Sequence, residues 1–301
     1  MRCRVLFSLT VAASMCAVPA QAQELTGTLK KIKDTGAITL GHRESSVPFS
    51  YYDDRQQVVG YAMDLCGKIV DAVKAELKFD KLEVKLNPVT SSTRIPLMAN
   101  GTVDLECGST TNNLEREKQV SFTITHFVTA NRFVSKKSAN LHTVDDLRGK
   151  TIVSTSGTTN IKQITEIGAQ KGLNLNILPA KDHAEAFLMV ETGRAAAFVM
   201  DDILLYSLVA AAKAPKDYVI SADALSVEPY GIMLRRDDAP FKKVVDQAMI
   251  ATYRSGAINA IYDKWFLKPI PPRGLTLDVP MSESFKKVIA NPTDSGDPAV
   301  Y

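Results

Sequence analysis

A chain of 301 residues with 45% hydrophobic composition is long enough to bury one large core or two moderate ones. Its 36 basic side chains nearly balance 33 acidic ones, for a formal charge of +3, so it has no electrostatic footprint for nucleic acid. Beyond the N-terminus, no stretch is long or apolar enough to span a bilayer.

The first 22 residues carry Arg2 and Arg4, an apolar run from Val5 to Val18, then Ala20-Gln21-Ala22. This is the three-part secretory signal with an A-x-A cleavage site. The apolar run, about 14 residues, falls short of the ~20 a spanning helix needs, and Met15 before Cys16 suits a lipoprotein site poorly. Cleavage is expected after Ala22, which removes two arginines and brings the net charge to about +1. Cys3 and Cys16 leave with the leader. Cys66 and Cys107 remain in a compartment that permits disulfides, and two readings stay open for them: a bond, or two buried thiols. The histidines (His42, His126, His142, His183) and cysteines show no metal-ligand spacing, so neither a metal nor another cofactor is expected.

Ala37–Gly41 reads as a first strand, followed by an aromatic stretch (Phe49, Tyr51, Tyr52) and a turn at Asp53-Asp54. Leu65, Ile69, Val73 and Leu77 recur at helical spacing. Leu82, Val84 and Leu86 alternate with polar residues as a strand does. A short helix from Arg94 to Met98 then closes at Asn100-Gly101. The apolar run Val103–Cys107 empties into a polar loop, Gly108-Ser109-Thr110-Thr111, with Arg116 beyond it. This β-α-β-α-β order predicts a mostly parallel sheet, and ligands of such sheets bind beyond the carboxyl ends of the strands.

The rhythm restarts after His126. Strands are expected at Thr151–Ser154, Leu173–Leu178 and Ala195–Met200, and helices from Ser156 through Ile167 and over Ala184–Thr192. LMANGTVDLECGS and LMVETGRAAAFVMDD share one plan of helix, glycine, apolar strand and polar end, which gives two α/β lobes. Crossings are expected at Phe127–Phe133 and Val227–Met233, with helical Phe241–Trp265 returning to the first lobe. The polar stretch Asn291–Tyr301 is expected to fray. The domain boundaries so predicted are a signal peptide at 1–22, a discontinuous lobe 1 at 23–128 and 231–301, and lobe 2 at 129–230.

Three arginines, Arg43, Arg94 and Arg116, fall in loops or at element ends beside Ser91, Ser109 and Thr111. Any one could be a solvated surface charge; together they point to an anion, which guanidinium holds bidentately. Ser156 to Thr159 opens a helix, which suits both ordinary capping and anion binding. Asp201 ends an apolar strand, where it caps the next helix or binds a cation. His183 is a surface histidine or a donor to a carboxylate. Donors in excess plus one acid complement an amino acid with an extra carboxylate. An enzyme needs a nucleophile–base pair or a poised acid, and there is no G-x-S-x-G, metal motif or G-x-G-x-x-G.

The segments GHRESSVPFSYYDD, SSTRIPLMANGTVDLECGSTTNNLEREKQ, STSGTT, AKDH, FVMDD and YGIMLRRDD, in that order, resemble the glutamate/aspartate-binding branch of the polar amino-acid solute-binding proteins of bacterial ABC transporters. The resemblance runs from about Leu29 to Pro272. It implies a type II periplasmic-binding fold, α/β with two lobes joined by two crossing strands, and a monomer in the periplasm. It also implies capture of L-glutamate or L-aspartate by lobe closure and delivery to an inner-membrane ABC permease. By matching motif, Arg116, Thr111 and Thr159, with Thr158 beside it, would hold the α-carboxylate, and Asp201 and Ser109 the α-ammonium. Arg43, Ser91, Arg94 and His183 would hold the side-chain carboxylate. The alternatives are a periplasmic enzyme on the same fold, such as a dehydratase of a cyclic acid using Glu44 or Glu185, and a binder of another polar amino acid such as glutamine.

Overall fold

The computed structural model describes residues 25–301; the expected signal peptide, with Cys3 and Cys16, lies outside the described residues. The first half contains α1 (Gly27–Thr35), β1 (Ala37–His42), β2 (Ser45–Ser46), β3 (Ser50–Tyr52), β4 (Val58–Val59), α2 (Tyr61–Glu76), β5 (Glu83–Pro88), α3 (Arg94–Ala99), β6 (Leu105–Cys107), β7 (Val120–Phe122) and β8 (Phe127–Lys136). Next come β9 (Thr151–Thr155), α4 (Thr159–Gln170), β10 (Asn176–Ala180), α5 (His183–Glu191), β11 (Ala197–Asp201), α6 (Asp202–Ala211) and β12 (Tyr218–Ile220). The chain finishes with β13 (Ser226–Tyr230), β14 (Met233–Arg235), α7 (Ala239–Arg254), α8 (Ala257–Tyr262) and α9 (Glu283–Ala290).

Two sheets organise these elements. The first runs β5-β1-β6-β14-β7, with β1 parallel to β5 and β6 and β14 antiparallel to both its neighbours. The second runs β10-β9-β11-β8-β12, with β13 also on β8. There β9 is parallel to β10 and β11, while β8 is antiparallel to β11, β12 and β13. The two lobes are joined where β8 and β13 pair, Phe127 opposite Tyr230. Local chemistry explains the main boundaries. In α2, Leu65, Ile69 and Val73 form one buried stripe. Thr158 and Asp238 cap α4 and α7 through Ile161 N and Phe241 N. Gly256, at φ +76°, separates α7 from α8.

An aromatic cluster fills the first lobe beneath the crossing. Phe127 stacks on Phe266 with ring centroids 5.0 Å apart, and Phe49 meets Phe127 and Tyr230 edge-on at 5.1 and 5.2 Å. Trp265, the single tryptophan of the chain, packs edge-on against Tyr51 and donates its indole N–H to Asp64 at 2.7 Å.

Three features differ from, or go beyond, the sequence expectation. The aromatic stretch folds into a small antiparallel sheet, β2-β3-β4, whose two- and three-residue strands are too short to show periodicity. Cys66 of α2 and Cys107 of β6 are joined in a disulfide, resolving the open alternative. Asn291–Tyr301 does not fray. Thr125 N donates to Thr293 O at 2.8 Å, Asn112 Nδ2 donates to Asp294 O at 2.8 Å, and the Tyr301 hydroxyl bonds Thr125 Oγ1 at 2.7 Å. Backbone carbonyls make much of this attachment, and their bonding leaves no hydrophobic pattern to read.

Candidate ligand site between the lobes

The wall from the first lobe is built at three strand or helix ends. Arg43 follows β1, and its Nη2 donates to Ser91 Oγ at 2.7 Å. Arg94 opens α3, and its Nη1 donates to Thr110 Oγ1 at 2.5 Å and Ser109 O at 3.2 Å. Arg116 donates Nη1 to Thr111 O at 2.7 Å. All three guanidinium side chains are buried, at 2%, 2% and 6% residue exposure, which is rare for arginine unless a partner is supplied.

The wall from the second lobe is built from helix starts. Helices α4, α5 and α6 begin at Thr159, His183 and Asp202, so their orphan N–H groups and partial positive charges lie at the cleft. Thr158 donates to Thr155 O at 2.7 Å while capping α4. His183 Nδ1 pairs with Thr155 Oγ1 at 2.8 Å. Asp201 does not cap α6 with its side chain; it accepts from Asn160 Nδ2 at 2.7 Å and from the Tyr230 hydroxyl. Thr159 donates to buried Glu228 at 3.0 Å.

Between the walls lies a narrow polar pocket of about 10 Å³, room for roughly one water. Eight of the ten residues singled out from sequence line it: Ser91, Arg94, Ser109, Thr111, Thr158, Thr159, His183 and Asp201. Arg43 and Arg116 stand one layer back, against Ser91 and Thr111. Three further lining residues were not foreseen: Asn160, Met200 and Leu204. Asn160 adjoins the STSGTT motif and Met200 precedes Asp201, so adjacency was the available signal. Four polar atoms here are buried without a hydrogen-bond partner among the described residues: Arg43 Nη1, Arg94 Nε, Ser109 Oγ and His183 Nε2. Buried polar atoms are nearly always satisfied, so such a convergence marks unmet bonding capacity that a polar guest would fill.

Burial, then the neighbouring Arg94, lowers Arg43 to about 10 and Arg116 to about 9, so both stay cationic at neutral pH. Burial, with Arg43 and Arg94 nearby, drives His183 well below its ordinary value, and its ring is neutral. Burial, with the Glu228 carboxylate close by, raises Asp201 to about 7 against the hydrogen bonds from Tyr230 and Asn160.

The lobes are in contact. Arg116 Nη2 donates to Gly157 O at 3.3 Å, from the first lobe to the second. Gly157 has φ +77°, and a β-carbon there would lie 2.6 Å from Ser92 Cα and 2.7 Å from Ser91 O. Only glycine suits both the backbone conformation and the close approach.

Comparison with known proteins agrees with this architecture. Residues 38–268 match the bacterial extracellular solute-binding proteins, family 3. The chain is 55% identical to the L-glutamate/L-aspartate-binding protein of Pseudomonas aeruginosa over 290 residues, covering 96% of each. It is 44% identical to the glutamate/aspartate import solute-binding protein of Escherichia coli, again covering 96% of each. Among solved structures, a mutant of the Thermotoga maritima protein ArgBP superposes with a TM-score of 0.70 at 26% identity, covering 79% of this chain and 98% of that one. A histidine-bound ABC uptake transporter substrate-binding protein from Streptococcus pneumoniae, at 20% identity and TM-score 0.72, covers 81% of this chain and 98% of its own and shares the fold. The two-lobed architecture is thus the type II periplasmic-binding fold, and the chain belongs to the bacterial extracellular solute-binding proteins, family 3.

Proposed function

We propose that this protein captures L-glutamate or L-aspartate in the periplasm by closing two lobes around it, and delivers it to an inner-membrane ABC permease. The observation that carries this reading is the set of four unpartnered buried polar atoms in, or one layer behind, the narrow pocket between the lobes, three of them on groups suited to an anion: Arg43, Arg94 and His183. Relatives at 55% and 44% identity carry glutamate/aspartate-binding names. In this reading Arg43, Ser91, Arg94 and neutral His183 hold the side-chain carboxylate. Arg116, Thr111, Thr158 and Thr159 hold the α-carboxylate, with the start of α4 adding its partial charge. Asp201 and Ser109 hold the ammonium. Because these groups come from both lobes, the ligand's differential contacts favour the closed state.

Catalysis is the weaker reading. An ancestral amino-acid-binding precursor of cyclohexadienyl dehydratase shares the fold, with a TM-score of 0.66 at 26% identity. The acids a dehydratase would call on, Glu44 and Glu185, are both exposed, and Glu185 accepts from Lys181 N at the start of α5. Solvent-exposed carboxylates lack the burial that poises a catalytic acid. Calorimetric titration of refolded, ligand-stripped protein with L-glutamate, L-aspartate, L-glutamine, L-histidine and succinate tests the proposal. One-to-one binding of an acidic amino acid, with glutamine much weaker, is expected. Cooperative unfolding without binding of any of the five would sink it.

A further inference from the structure

Glu106 is fully buried at the centre of β6, an expensive place for a carboxylate. Its Oε2 accepts from Thr110 Oγ1 at 2.6 Å, and Thr110 Oγ1 accepts from Arg94 Nη1 at 2.5 Å. Its Oε1 has no hydrogen-bond partner among the described residues. The chain makes space for that oxygen: a β-carbon on Gly108 would lie 2.4 Å from Glu106 Oε1 and 2.9 Å from Arg43 Cγ. Gly108, the first residue of the polar loop, thus lies directly against the Glu106 carboxylate and the Arg43 side chain.

The placement is indirect. Glu106 reaches Arg94 through the Thr110 hydroxyl, and among the described residues it forms no direct ion pair with Arg43 or Arg94. Arg43 Nη1 and Arg94 Nε accordingly keep free N–H groups. Buried guanidiniums without a counter-charge are costly, whereas a directly paired acid would occupy the donors that a ligand needs.

We propose that Glu106 is a selectivity-setting positioning residue of the cleft: a resident counter-charge, held one hydroxyl away from Arg94, that offsets one of the arginine pair's two charges while leaving its donors free for the ligand's second carboxylate. The proposal rests on the acidic-ligand reading above. Its consequence is a trade. Glu106 steadies the empty cleft, and once the cleft is filled it repels the ligand's side-chain carboxylate, which limits affinity and eases release.

Glu106→Gln separates charge from geometry, because the amide oxygen still accepts from Thr110. Wild type and variant would be titrated with L-glutamate and L-glutamine, and the ligand-free proteins melted. The glutamate-to-glutamine affinity ratio should rise about tenfold as the like-charge repulsion disappears, and the ligand-free Tm should fall. A ratio within twofold of wild type, or a lower one, in a cooperatively folding variant overturns the proposal, since a merely structural residue would move the Tm alone. If Glu106→Gln does not fold, Glu106→Asp withdraws the charge by one methylene and should raise the ratio less, in the same direction; no rise there also overturns it. Wild type that binds neither amino acid would overturn the acidic-ligand reading, and this proposal with it. Wild type that binds while the ratio stays fixed overturns this proposal alone.

Discussion

The two walls of the cleft are made of different materials. The first lobe offers three buried guanidiniums, each tied to its own lobe through Ser91, Ser109–Thr110 or Thr111. The second offers three helix starts, a neutral imidazole and one acid. Charge that is fixed by local bonds exists before closure, whereas the second wall adds geometry and short-range hydrogen bonds that count only when the lobes meet. The first wall should therefore set how tightly a ligand is held, and the second how its arrival is coupled to motion and protons.

The largest effect should come from the first wall. Arg94→Ala is expected to weaken glutamate binding by about 2–5 kcal/mol, roughly 30- to several-thousand-fold, because it removes a charged partner from a buried ligand carboxylate. A loss under threefold by calorimetry would remove Arg94 from ligand contact and break the comparison. The interlobe contact comes next. Gly157→Ala adds a β-carbon within 2.7 Å of Ser91 O and strains a positive φ, so affinity should fall on the order of tenfold. Small-angle scattering should show less ligand-induced compaction than in wild type. An unchanged compaction would mean that Gly157 does not limit closure.

The smallest effect concerns protons. The folded, empty protein keeps Asp201 protonated from the ordinary carboxylate range up to about 7, where the unfolded chain has lost that proton. The contribution to stability is thus present at low pH and is lost as pH rises towards 7. An arriving ammonium favours the carboxylate, so binding near pH 6 should release up to about one proton. Binding heats should then depend on the ionisation enthalpy of the buffer, and in Asp201→Asn they should not. The arginines, cationic throughout, exchange no proton. Equal buffer dependence in wild type and variant would assign proton release elsewhere.

Much of this contrast was legible in the residues themselves. Ser109 and Thr111 follow an apolar strand, and Thr158, His183 and Asp201 stand at helix starts that STSGTT, AKDH and FVMDD spell out. Periodicity in Leu65, Ile69 and Val73 located α2, because one buried stripe is what forms that helix. Glu106 was not legible as part of the site. It sits inside an apolar run, and its meaning comes from Thr110, Gly108 and Arg94 meeting it in space. The interlobe role of Gly157 was hidden for a similar reason, since its partners at 91 and 92 lie on the other lobe. The C-terminal attachment is partly backbone to backbone, and such bonds leave no trace in side-chain pattern.

The position of Trp265 has an optical consequence. The only tryptophan of the chain is buried in the first lobe between Tyr51 and the Asp64 carboxylate, and it is not among the residues lining the cavity. Its emission should therefore report mainly whether the first lobe is folded, with little direct response to a ligand in the cleft. A flat fluorescence trace on adding an amino acid would not count against binding, which makes heat or scattering the signal to follow.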